Sequence, residues 1–145
     1  MKRISLVFSL LFLATSWTSL RAADSDAEVD ARRVALDLAG AFSNEGFKLR
    51  DGYWTGAVKQ GETAVVAVNL YAGNQYWFSV GANQEVKKFT VHLHDENGQP
   101  LPIENFEAED KAAAGFSPTI SGQYFVSIAP TEANTPTFCL VYSYK

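Results

Sequence analysis

The stretch ETAVVAVNLYAGNQYWFSV, Glu62 to Val80, decides the fold class. Ala64, Val66, Val68 and Leu70 alternate with Val65, Ala67 and Asn69, and after a Gly-Asn break Tyr76, Phe78 and Val80 alternate with Trp77 and Ser79. A period of two places successive side chains on opposite faces of an extended chain, so two β-strands are predicted here. The intervening LYAGNQY has the composition of a hairpin turn.

The same period continues in both directions. Strands are predicted over Tyr53–Val58, Glu62–Leu70, Gln75–Val80, Val86–His94, Leu101–Glu104, Ala112–Phe116, Gln123–Ala129 and Thr137–Tyr144, and the Asn-Gly of HDENGQP marks a second hairpin turn. Roughly eight short strands without intervening helices predict a mainly β fold, an antiparallel β-sandwich of jelly-roll type. Alternation assigns Ala64 to Leu70, Tyr76 to Val80, Phe89, Val91, Leu93 and Phe138, Leu140, Tyr142, Tyr144 to the inner faces. The outward set is mixed: Lys88, Thr90, His92 and Ser143 stand beside Val65, Trp77, Phe125 and Val141. Such apolar outward positions call for a cover.

That cover is found upstream. Ser25 and Glu28 form a capping box, with Asp24, Asp26 and Asp30 crowding the positive end of a helix dipole. Ala27, Ala31, Val34, Leu38, Ala41 and Phe42 share one stripe at helical spacing. One amphipathic helix is predicted, ending near Asn44 to Gly46, with Val34, Leu38 and Phe42 packed near Trp77 or Phe125. Further upstream, Lys2 and Arg3 precede an apolar run, Ile4 to Ala14, and small residues at Ala22 and Ala23 offer a cleavage site. This is the pattern of a secretory signal peptide, and the run is too short to span a membrane. The predicted organisation is therefore signal peptide over 1–22, helix over 23–46 and β-sandwich over 47–145, in a periplasmic or secreted protein.

Loss of Lys2, Arg3 and Arg21 would leave nine basic residues against sixteen acidic ones, a net charge of −7. That balance disfavours nucleic acid and anionic membrane surfaces and suits a basic protein partner. The single cysteine, Cys139, cannot form an internal disulfide, so an ordinary core must carry the fold.

Taken together, GYWTGAVKQGETAVVAVNLYAGNQYWFSV, the HDENG turn and GFSPTISGQYFVSI resemble the bacterial pre-peptidase C-terminal domain over Gly52 to Tyr144. The resemblance implies a non-catalytic β-sandwich that binds or targets, although no enzyme is attached here and a helix is added in front. The segment TISGQYFVSIAP, Thr119 to Pro130, also resembles small periplasmic lysozyme inhibitors, whose Ser-Gly-x-Tyr loop enters the lysozyme active site; Ser121, Gly122 and Tyr124 match it. A motif this short is explained more simply as the start of a core strand, Gly122 permitting the turn and Tyr124 entering the core.

Other constellations are less specific. His92 and His94 lie two apart on one strand face, the nearest approach to a metal site; no later histidine follows, Asp95, Glu96 or Glu104 could complete only a weak site, and an exposed polar face accounts for the pair more simply. Glu107, Glu109 and Asp110 cluster in a polar loop, and no serine or cysteine has an activating context. Trp54 and Trp77 could stack on sugar rings if exposed and coplanar, or fill the core. The expectation is an exported binding module without catalytic residues, cofactor or metal, taking a protein or a cell-envelope polysaccharide through its strand-connecting loops or an outer sheet face. Lysozyme inhibition through Ser121 to Tyr124 and carbohydrate binding through Trp54 and Trp77 stand as the alternatives.

Overall fold

The computed structural model describes residues 24–83, 88–132 and 135–145. The predicted signal peptide and the first residues of the strand predicted from Val86 lie outside them. The order is α1 (Asp26–Ser43), β1 (Lys48–Leu49), β2 (Trp54–Ala57), β3 (Ala64–Leu70), β4 (Tyr76–Ala82), β5 (Phe89–His94), β6 (Glu104–Glu107), β7 (Lys111–Phe116), β8 (Gly122–Pro130) and β9 (Thr137–Tyr144).

Two antiparallel sheets face each other. Sheet A runs β1-β9-β4-β7-β6, with β2 continuing the β1 edge beside β9, and sheet B runs β3-β8-β5. Strands β2, β4, β7 and β9 lie in one sheet while β3, β5 and β8 lie in the other, so the chain wraps back and forth between layers as in a jelly roll. The inward side chains form one core that includes Phe78, Val80, Leu93, Val126, Ile128 and Phe138, all essentially inaccessible to solvent. Removing any of these contacts leaves a cavity that the close-packed layers cannot fully close.

Among the strands and their connections, three predicted features differ. LYAGNQY joins β3 of sheet B to β4 of sheet A, so it is a crossing between layers and not a hairpin. Tyr76 Oη accepts the Tyr71 N–H at 2.9 Å, closing that crossing from within the core. The strand predicted over Leu101–Glu104 is displaced to Glu104–Glu107 because Pro100 and Pro102 lack the N–H groups a ladder needs. There the chain makes only a short return beside β5, through the His94–Pro100 bridge and the Leu101 N–H to Leu93 carbonyl bond, before reaching sheet A. Tyr144, assigned inward, sits at the sandwich rim and is exposed.

The helix starts at the predicted capping box: Ser25 Oγ accepts the Glu28 N–H and Glu28 Oε2 accepts the Ser25 N–H. It lies on the outer face of sheet A. Its contact stripe is Ala31, Ala35 and Ala39 with Val34 and Leu38, while Ala41 is exposed. Ala31, Ala35 and Ala39 pack against Cys139 and Val141 of β9. The approach is close because Gly81 of β4 has no Cβ; one placed there would lie 2.5 Å from the Ala31 carbonyl oxygen. At the other end of α1, Phe42 stacks on Trp77, centroids 4.3 Å apart and planes within 10°. At its start, Asp24 Oδ2 joins Arg32 at 2.7 Å and accepts the Tyr53 hydroxyl at 2.9 Å, tying α1 to the segment before β2.

Cys139 Sγ sits beneath this helix, and burial pushes its pKa up to about 11. Because the folded thiol holds its proton more tightly than the unfolded one, stability is unaffected below the unfolded value near 9 and falls as pH rises from there to about 11. Native protein should leave an aromatic disulfide reagent unreacted at pH 8, and denatured protein should release one equivalent of thiolate. Fast labelling of the native protein would show that the helix does not cover the thiol.

Candidate functional site

With α1 seated over β4 and β9 of sheet A, the outer face of sheet B is left open along all three of its strands among the described residues, while sheet A stays open at its β6 end, where Phe106 is 43% exposed. Register fixes its pattern. Val65, Ser127 and His92 form one row across β3, β8 and β5; Ala67, Phe125 and His94 form the next; Asn69 and Gln123 extend it on one side and Ala129 with Thr90 on the other. Among the described residues no outward position within β3, β5 or β8 carries Asp, Glu, Lys or Arg, and Lys88 stands exposed at the margin just before β5. Hydroxyls, amides and imidazoles surround one aromatic ring, Phe125, which is half-buried, and Val65, 60% exposed. His94 Nε2 and Ser127 Oγ are hydrogen-bonded at 3.1 Å, which orients that imidazole along the sheet. A shallow depression of about 450 Å³ runs over Val65, Phe125, His92 and His94.

Such a surface can place an aromatic face and neutral hydrogen-bonding groups against a ligand, and it provides no fixed charge for an ionic one. The two histidines project from this face, His92 exposed and His94 half-buried. Among the described residues no group of three or more His, Cys, Asp or Glu side chains is arranged to hold a metal ion.

Ser121, Gly122 and Tyr124 stand at the start of β8. Tyr124 turns into the core, edge-on to Phe116 at 5.5 Å between centroids, and its hydroxyl donates to the Ile120 carbonyl at 2.6 Å. Ser121 Oγ accepts the Ala72 N–H at 2.8 Å and so clips this loop to the β3–β4 crossing. Gly122 pairs with Leu70 and has no positive φ, so its role is not the conformational one expected from sequence. The residue that projects at this end is Ile120, 72% exposed, beside a small recess shared with Asp95 and Glu96.

Trp54 and Trp77 do not share a surface. Trp54 folds over Gly56 at the open edge of the sandwich and packs on the core, near Val66 and Tyr142. Trp77 faces the opposite side of sheet A, with Phe42 on one ring face and Gly115 beneath its edge. They therefore form no common platform. The sheet B face was not singled out from sequence as a site; its signal, alternate uncharged positions on three separate strands, becomes a pattern only in register.

Among the described residues no helix is long and apolar enough to cross a membrane. No protein-family model matches the chain, and no curated protein matches it.

Proposed function

We propose that the chain is an exported, non-catalytic binding module that recognises a protein or polymer ligand across the outer face of sheet B. The observation that carries this is an uncharged face, centred on Phe125, left open on a protein whose charge without the proposed leader is −7. Amide and hydroxyl groups around an aromatic ring suit a neutral, hydroxyl-rich polymer better than a basic protein, which would be met by acids at the contact. Within this reading the ligand is a polysaccharide of the cell envelope.

Protein lacking residues 1–22 should sediment with at least one of insoluble chitin, cellulose or peptidoglycan. Phe125→Ala should weaken that retention by about tenfold or more, as loss of a stacking contact worth ~1.4 kcal/mol requires. Trp77→Phe, beneath the helix, should leave it unchanged. Retention by none of the three polymers, or retention indifferent to Phe125, overturns the proposal.

The lysozyme-inhibitor alternative draws on the Ser121 to Tyr124 motif and the nearby Asp95 and Glu96. Against it, Tyr124 is buried and the Ser121 hydroxyl oxygen already accepts the Ala72 N–H.

A further inference from the structure

A sheet edge left unpaired presents a row of backbone N–H and C=O groups, and natural sandwiches usually protect such edges. Among the described residues, three of the four sheet edges carry a protective device. Strand β6 is four residues long with glutamates at both ends. The β1/β2 edge is broken between Leu49 and Trp54. Strand β5 is partly covered by the return through Pro100 and Leu101.

Strand β3 carries none of these. Its seven residues, AVVAVNL, include no charge, proline or glycine, and they pair one-for-one with β8 without a bulge. Among the described residues no backbone–backbone hydrogen bond reaches Ala64–Leu70 from any element but β8. The edge also borders an opening of about 280 Å³ between the sheets, walled by Trp54, Leu140 and Tyr142 with Val66 and Val68 and rimmed by Arg50 and Asp51, so the inward side chains of Ala64 and Val66 are only half-buried.

We infer that β3 pairs with β3 of a second copy of this chain, forming a two-fold antiparallel junction centred on Ala67. In that register Val66 stands opposite the other copy's Val68 and Ala64 opposite its Leu70, so inward residues meet inward residues. Val65 meets Asn69 on the outside, and the two three-stranded sheets become one six-stranded sheet. The occupant is a second copy because the strand is self-complementary in this phase and brings no like charges together at the contact. A basic or acidic partner would find no charge on β3 itself, and Arg50 and Asp51, which rim the opening beside it, carry opposite signs. The net negative charge of each copy opposes association at long range, so added salt strengthens the dimer. The inference does not rest on what the sheet B face binds, although Val65 and Ala67 lie on both surfaces.

Sedimentation velocity across a wide concentration series of protein lacking residues 1–22 tests it. The wild type should move from monomer towards dimer as concentration rises, and more readily at higher salt. Ala67 is exposed, so Ala67→Lys and Ala67→Glu should fold normally, as checked by circular dichroism, yet each should remain monomeric because like charges then oppose each other across the axis. An equimolar mixture of the two variants should recover the dimer. A wild type that stays monomeric at every concentration, or a dimer unaffected by Ala67→Lys, overturns the inference.

Discussion

Replacing Gly81 by valine should cost about 3 kcal/mol or more and release the helix from sheet A. The Ala31 carbonyl oxygen, the Ala35 nitrogen and the Val34 carbonyl carbon all lie within 3 Å of the place a Cβ would take, and all belong to backbone. A flexible side chain could rotate away; a helix backbone has to lift. Lifting exposes Ala31, Ala35, Ala39, Cys139 and Val141, which exist as a buried cluster only because the layers touch so closely. Thermal unfolding measures the loss. Thiol labelling gives an independent readout, since Cys139 should become reactive in the folded variant. A variant as stable and as unreactive as the wild type would show that α1 does not seat on β4.

The second large effect is expected at Tyr124. Truncation to alanine removes a buried ring that packs on Phe116 and leaves the Ile120 carbonyl without its donor, for a loss of about 3–5 kcal/mol. Tyr124→Phe keeps the ring and loses the hydrogen bond alone, about 1 kcal/mol. Ser121→Ala should also cost about 1 kcal/mol, through the Ala72 N–H. A loop that inserts into a partner predicts the reverse order, with Tyr124→Ala abolishing inhibition of a lysozyme while the melting temperature stays put. Denaturation curves and a lysozyme panel on the same variants separate the two.

Much of the fold was legible because alternation is a local signal. The capping box at Ser25 and the inward sets on β3, β4, β5 and β9 could be read from neighbouring residues, and the structure places them as predicted apart from Tyr144. Connections were harder. LYAGNQY has hairpin composition, yet β3 and β4 belong to different layers, and nothing within the turn states which strand β4 will pair with. The choice of face for the helix was harder still, since Trp77 and Phe125 are both outward aromatics. Packing decides it. Ala31, Ala35 and Ala39 need a smooth seat, which Gly81 and Cys139 supply on sheet A, whereas the larger outward side chains Phe125, His92 and His94 occupy the face of sheet B. The Trp54 and Trp77 pair was suggested by residue type alone, and type does not reveal that one closes the sandwich edge while the other lies under Phe42.

If the open face of sheet B is the binding surface, its amides should respond first when ligand arrives. The direct measurement is backbone amide chemical-shift mapping of the isotopically labelled protein during titration with a soluble oligosaccharide of the polymer it retains. Shifts concentrated at Val65, Ala67, Thr90, His92 and Phe125, with little change around Trp77 or Ser121, are the predicted result. Shifts centred on Ile120 to Tyr124, on Trp54 or on Trp77 would contradict it and move the site elsewhere.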